Sequence, residues 1–236
     1  MDFGKAFSFT FEDKDWIVKI LLGSLIMLIP IVGQFVLMGY GIAIIRNVKA
    51  GNPRPLPDWS NFADFLLDGV KFWVANLVYA LPILILVCPL ILVSMLPVFA
   101  IDDEDLMAIL GGISGLVSMV LVCPMVLYGI LLSLVTPVLQ IHFAESGEIE
   151  SCFRFREIFR FTLDNIGNLL ISLLIVWGIS VVVVPIVGTL TLGLLVLPAT
   201  VWLAILSSHL YGQIGRQREP VADDFVADDP FAVEAL

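Results

Sequence analysis

Ionisable side chains are almost missing from most of this sequence. Its 12 basic and 22 acidic residues all fall outside four stretches, Ile20–Ile45, Phe72–Ile101, Leu106–Ala144 and Asn165–Gly215, which together make up well over half of the 236 residues. A central Asp, Lys or Arg costs a membrane helix about 2.5–3.5 kcal/mol, whereas each Leu or Ile gains only about 0.3–0.6. Excluding charge over such lengths therefore reads as exclusion from hydrocarbon; a soluble core helix would keep a polar side toward water. Hydrophobic residues are 59% and charged residues 14%, against a soluble balance of about 45–50% and 25%. The same absence weighs against whole classes of function. Pumps, coupled transporters and intramembrane enzymes keep ionisable groups inside the membrane, and here there are almost none.

Other scarcities exclude more. The three cysteines, Cys88, Cys123 and Cys152, have neither metal-like spacing nor the pattern of a disulfide framework. No P-loop, metal-binding helix motif, serine-hydrolase elbow or nucleic-acid module is present. The expectation is a chain that is not an enzyme, with no cofactor, no metal and no nucleic-acid partner. The first residues lack the basic region and early apolar run of a cleaved signal peptide, so the first apolar helix reads as an uncleaved anchor.

What is present is a set of helices. The stretch Asn165–Gly215 makes about 77 Å of helix, against a hydrocarbon core of roughly 30 Å. It must fold back, and Pro185–Gly188 is the expected break, giving helices near Ile166–Val184 and Thr191–Tyr211. The acidic turn Asp102–Asp105 separates a middle pair near Val70–Phe99 and Leu106–Phe143, whose prolines and length imply tilt or kinking. The first stretch is ambiguous. As one span it has basic residues at both ends; as a hairpin broken at Pro30–Gly33, with helices Asp13–Ile31 and Val32–Lys49 of about 28 Å each, both basic clusters share a side. The hairpin is the reading adopted, with Lys14 and Lys19 snorkelling at the interface.

Charge then orients the molecule. The net charge of −10 is uneven: the tail from Glu219 carries six acids and no base. Basic residues cluster at Lys5/Lys14/Lys19, Arg46/Lys49/Arg54/Lys71, Arg154/Arg156/Arg160 and Arg216/Arg218. Six spans as three hairpins put every cluster and both termini on the cytoplasmic side of a cell membrane. The expected architecture is an all-α, polytopic transmembrane bundle over residues 1–216, with hairpins near 13–49, 70–143 and 166–214. Residues 217–236 read as an acidic, disordered cytoplasmic tail that can dock a protein partner.

Pro-Ile-Val-Gly occurs twice, at Pro30 and Pro185, and Tyr-Gly three times, at Tyr40, Tyr128 and Tyr211. A Phe-rich segment ending in Asp precedes each hairpin, which suggests three unequal copies of one unit; the alternative is that turns and interfaces draw on the same few residues. Two such segments read as interfacial amphipathic helices, near 58–68 and 153–163. In the second, helical spacing groups Phe155, Ile158, Phe159, Thr162 and Leu163, with Arg156, Arg160 and Glu157 opposite, the pattern of a helix lying among headgroups. Trp16, Trp59, Phe155, Arg156, Phe159 and Arg160 are the lipid-contact candidates; Pro30, Gly33, Pro185 and Gly188 are the turn candidates. Membrane lipids are the expected partners, with homo- or hetero-oligomers open.

Rival sites are weaker. Gly112-Ile-Ser-Gly115 matches the Gly-x-Ser-Gly motif of rhomboid proteases, but Ser114 and His209 belong at opposite ends of the bundle in this topology and a dyad needs hydrogen-bond reach. Gly111-x-x-x-Gly115 suits close helix packing instead. Val-Cys-Pro at Cys88 and Cys123 reads as packing, His142 as an interfacial histidine, and Gln34 and Asn76 as interhelical hydrogen-bond formers. A solute path lined by backbone at proline breaks and by Asn76, Ser118 and Ser133 is the main alternative function.

Finally, Phe11-Glu-Asp-Lys-Asp-Trp16 with Lys19, Ile29-Pro-Ile-Val-Gly33, Gly39-Tyr40 with Arg46, and Leu56-Pro57-Asp58-Trp59 with Gly69, followed by Phe143-Ala-Glu-Ser-Gly147 and Phe153-Arg-Phe-Arg-Glu157, together resemble a prokaryotic membrane-protein family known as domain of unknown function 4013. The likeness spans roughly Phe7–Tyr211. It implies a multi-pass membrane protein with no established activity, and it does not extend to the acidic tail.

Overall fold

The computed structural model describes residues 2–100 and 103–217; the acidic tail beyond Gln217, and Asp102 of the expected acidic turn, lie outside them. Among the described residues the chain is all helical, with no strand. The helices are α1 (Phe3–Glu12), α2 (Trp16–Met27), α3 (Val32–Lys49), α4 (Phe62–Ser94), α5 (Glu104–Ser146), α6 (Phe155–Asp164), α7 (Ile166–Gly178), α8 (Val184–Leu190) and α9 (Val196–Arg216). Short 3₁₀ turns at Trp59–Asn61, Leu96–Ala100 and Ile149–Phe153 join some of them.

The helix α3 is the central pillar. Val36, Tyr40, Ile42, Ile44 and Ile45 are all buried although they point around its whole circumference, the signature of a helix enclosed by others. It packs on α4, α9, α5 and α2. Its tightest contact is with α4 and is reciprocal. A Cβ on Gly39 would overlap the Phe65 carbonyl, and a Cβ on Gly69 would overlap the Phe35 carbonyl. Each helix thus presents Phe-x-x-x-Gly to the other, and the two main chains touch. Only glycine permits this approach, which gains dispersion and Cα–H···O contacts where no hydrophobic drive acts between helices.

Three continuous helical runs are long and apolar enough to cross a membrane: Trp59–Phe99, Glu104–Ser146 and Ile166–Leu190. Their apolar side chains are largely uncovered, among them Ile85, Leu92, Leu116, Met119, Val120 and Leu174. Uncovered apolar surface of that extent fits hydrocarbon and not water. The helix α2 is apolar but only 12 residues long, about 18 Å, shorter than the helix expected from Asp13.

Three expectations require correction. The segment near 58–68 is not a separate interfacial helix: after the 3₁₀ turn at Trp59–Asn61 the chain enters α4 and continues without a break to Ser94. Pro185 and Gly188 do not form a turn; both are helical in α8, following a π-helical segment at Ile179–Val183. Pro185 has no N–H for the Val181 carbonyl, and its ring crowds that carbonyl; widening the preceding turn relieves both without ending the helix. The chain reverses further on, between Thr191 and Leu195, where Gly193 adopts φ +87°. The third correction concerns Gly111 and Gly115, which meet nothing within 4 Å where a Cβ would stand; the close packing expected of this pair is absent among the described residues. The Pro30 tetrapeptide, by contrast, does turn: α2 ends at Met27, Ile31 takes φ +68°, and Gly33 enters α3 pressed on the Ile26 backbone.

Gly39→Ala and Gly69→Ala should each destabilise the protein by about 1–3 kcal/mol or more, the range for overpacking a close contact, whereas Gly111→Ala and Gly115→Ala should be near neutral. Unfolding in mixed micelles, followed by circular dichroism, would separate the two pairs; equal losses at all four sites would show that the α3–α4 contact is not special.

Candidate functional site

The most conspicuous polar constellation gathers on Lys19. Its ammonium lies 2.9 Å from Asp13 Oδ2, 2.9 Å from Asp58 Oδ1 and 3.1 Å from the Leu56 carbonyl. Three donors thus meet three acceptors, and the residue is only 8% exposed. The surrounding groups lock the knot. Trp59 Nε1 donates to the Lys19 carbonyl at 2.9 Å. The Tyr40 ring stacks on Trp59 at 4.2 Å, and its hydroxyl donates to the Pro57 carbonyl. Burial pushes the Asp13 carboxyl up, but the hydrogen bonds from Lys19 and from the Asp15 N–H, with the attraction of Lys19 and Arg54, outweigh it and hold Asp13 below 3.8. Lys19 therefore does not snorkel; it ties the segment before α2 to the loop before α4.

A second knot closes the far end of α3. Arg46 Nη1 pairs with Asp68 Oδ2 at 2.5 Å while its Nε donates to the Ala144 carbonyl at 3.0 Å. Lys49 pairs with Glu145 at 2.8 Å. Two cations thereby meet the last turn of α5, where free carbonyls and the helix dipole favour them. Gly147, at φ +70°, ends that helix. A cavity of about 470 Å³ with mixed polar and apolar walls lies beside this end, lined among others by Asp2, Lys5, Phe9, His209, Gln213 and Arg216.

The helix α6 is built in three strips. Ile158, Phe161 and Thr162 are buried against the bundle. Phe155, Phe159 and Leu163 are 60%, 56% and 51% exposed. Arg156, Arg160 and Asp164 follow next around the helix and are exposed as well. The sequence reading separated apolar from basic but did not separate the buried strip from the exposed apolar one. Just before α6, the buried Cys152 thiol is pushed up to about 11 by burial, which makes it a packing group and not a reactive thiolate.

The remaining candidates are placed as follows. Trp16 is half-buried with its ring edge-on to Phe11 at 4.9 Å. Trp59, proposed for lipid contact, is half-buried in the Lys19 knot. Ser114 donates to Gly111 of its own helix, and His209 lies against Phe9 and Gln213, so neither hydrogen-bonds the other. Cys88 and Cys123 are exposed. The interhelical hydrogen bond expected of Asn76 is missing: its Oδ1 is buried with no partner among the described residues. Sequence reasoning missed both ion-pair knots. The available signal was the recurrence of acids at Asp13, Asp58 and Asp68 close to the basic residues that flank the apolar stretches.

Kinship with other proteins gives this arrangement a context. A family model described as a protein of unknown function, DUF4013, matches residues 22–206. The chain belongs to that family. An uncharacterized protein of Methanocaldococcus jannaschii is 29% identical to it over 171 residues, covering 70% of this chain and 55% of the relative. The chain thus spans little more than half the length of the curated relative it matches. No solved structure matches it. The region shared with the DUF4013 family holds Arg46, Asp58, Trp59, Asp68, Glu145 and all of α6, whereas Asp13 and Lys19 precede it.

Replacing Lys19 by Met leaves Asp13 buried without its cation, and should cost about 3–5 kcal/mol, the range for breaking a buried pair. Asp58→Asn should cost far less, because that side chain is 78% exposed. Because Asp13 is held low, its contribution is complete above its unfolded value of 3.8 and disappears as pH falls below it. Detergent-solubilised wild type should therefore lose stability below about pH 4, and Asp13→Asn should flatten that limb; an unchanged acid limb in the variant would assign the loss to other carboxylates.

Proposed function

We propose that this protein is a non-enzymatic, multi-pass membrane protein that acts through lipid or partner contacts at its basic, cytoplasmic end. The observation that carries the proposal is the three-strip build of α6: one strip held by the bundle, one apolar and uncovered, one bearing arginines. A helix so built is matched to the boundary between acyl chains and headgroups. The C-termini of α3, α5 and α9 lie at the same end, with Arg46, Lys49 and Arg216, so the positive-inside rule supports a cytoplasmic assignment for it.

The topology we propose is three hairpins rooted on that side, α2–α3 entering the membrane part-way and α4–α5 and α7–α9 crossing it, with both termini cytoplasmic. The first is the shallow one. Beyond Lys19, α2 continues only to Met27, and α3 reaches Tyr40, which belongs to the same knot, about nine residues from its start. Each arm thus extends roughly 12 Å past the ion pairs, against a core of roughly 30 Å. A shallow hairpin returns the chain to the side it came from just as a crossing one does, so the orientation of the rest is the same.

A second reading, a small-solute permease or channel subunit, is supported by a crevice of about 130 Å³ between α3, α5 and α9, lined by Gln34, Gln140, Ser207 and Ser208 among others, and by the unpaired Asn76 carbonyl. Backbone and neutral polar groups build such paths in transporters.

In a cysteine-free background, a cysteine at Gly193 or Asp103 should label from outside intact cells, and one at Asn52 or Glu148 only after permeabilisation. A nitroxide at position 159 should be relaxed by oxygen and shielded from a water-soluble nickel chelate, with the reverse at position 156. Nickel access at both would put α6 in water and end the interfacial proposal; uptake of small polar solutes into liposomes, abolished by Gln140→Leu, would favour the second reading.

A further inference from the structure

Next to α6 the bundle surface opens into a groove of about 360 Å³, at the lower end of ligand-pocket sizes. Tyr79 of α4, Tyr128, Leu132 and Val135 of α5, and Phe155 and Phe159 of α6 form its walls. Among the described residues that line it the tyrosines are the only side-chain polar groups, and both hydroxyls are engaged elsewhere: Tyr79 donates to the Cys152 carbonyl at 2.5 Å, and Tyr128 donates to the Tyr79 carbonyl at 2.8 Å. What faces the groove is therefore ring and methyl surface. Such a lining cannot reward a polar solute, since any polar group entering it would lose its water without gaining a partner. It suits a hydrocarbon chain.

The walls are also held in place before anything enters. The Tyr79 ring is parallel to Phe153 at 6.5 Å and tilted against Phe155 at 5.6 Å, in addition to its hydrogen bond. A preformed groove loses little freedom on filling.

Charge selects the lipid. Moving around α6 from Phe155 and Phe159, the next strip outward carries Arg156 and Arg160. Among the described residues Arg160 has only a long contact to Asp164, 3.9 Å, with both side chains mostly exposed. Arg156 has no acidic partner among the described residues. A guanidinium fork matches a phosphate, and each basic residue at a membrane surface favours anionic lipid roughly fivefold. In a chain of net charge −10, an uncovered arginine edge beside an apolar groove is a local exception.

We propose that this groove is the seat of one acyl chain of an anionic membrane lipid, whose phosphate rests on Arg156 and Arg160. The inference rests on the interfacial reading of α6 and adds to it a defined, headgroup-selective site.

The test uses the full chain in nanodiscs of equal parts phosphatidylglycerol and phosphatidylcholine, with a trace of either lipid carrying a diazirine on its acyl chain. After irradiation, labelled peptides are read by mass spectrometry. Tagged phosphatidylglycerol should label the α5 segment around Leu132 and the start of α6 roughly 25-fold more than tagged phosphatidylcholine, about fivefold for each of the two arginines. Leu132→Trp, which fills the groove, should abolish that labelling. Leu127→Trp, on α5 but outside the lining, should leave it intact and serves as the folding control. Arg156→Glu with Arg160→Glu should keep chain labelling and remove the preference for phosphatidylglycerol. Labelling unaffected by Leu132→Trp, or equal for both lipids in the wild type, would overturn the proposal. The nitroxide measurement separates the two levels: α6 at the interface with no groove labelling defeats only the lipid seat, whereas α6 in water defeats the interfacial reading as well.

Discussion

The main chains of α3 and α4 touch at two points, Gly39 on the Phe65 carbonyl and Gly69 on the Phe35 carbonyl. Most of the structure is arranged about that contact. It fixes how closely the pillar α3 meets the longest uncovered hairpin, and the two ion-pair knots then sit along α3: Lys19 with Asp13 and Asp58 near Tyr40, Arg46 with Asp68 beyond. Between helices in hydrocarbon, water provides no drive to associate, so association rests on close packing and on polar groups that satisfy one another. Both devices are present, and they are used in the same place.

Much of this was legible in the sequence. Charge-free runs located the apolar helices because the cost of a central charge is large compared with the gain from any single apolar residue. Arginines at helical spacing from phenylalanines located α6. What escaped was decided by three-dimensional partners. Pro-Ile-Val-Gly is the clearest example, since the same four residues fold in two ways. At Pro30 the chain turns, with Gly33 seated on the Ile26 backbone of the helix just completed. At Pro185 the helix widens by a π turn and continues through Gly188. No local preference distinguishes these outcomes; the neighbours do. Lys19 escaped for a related reason: a lysine near a membrane helix end usually reaches for water, and only the fold brings Asp58 to it across the intervening α3.

The unusual economy of charge acquires a sense from these contacts. Among the described residues, Lys19, Arg46 and Lys49 are spent on holding helices together, each on an acid from another segment. The arginines in and just before α6 are different: among the described residues Arg154 meets only Glu157, at 3.7 Å, and Arg160 only Asp164, at 3.9 Å, each an acid of the same short segment. A sequence that excludes charge so thoroughly elsewhere keeps these cations on an uncovered edge, outside the structural knots.

The contact between α3 and α4 involves no side chain from either glycine, so no change of rotamer can slacken it. No glycine of α7 or α8 meets the backbone of another helix in this way, and the π-widened stretch Ile179–Val183 joins them. The two sides of the bundle are therefore braced differently: α3 and α4 main chain against main chain, α7 and α8 through side chains alone.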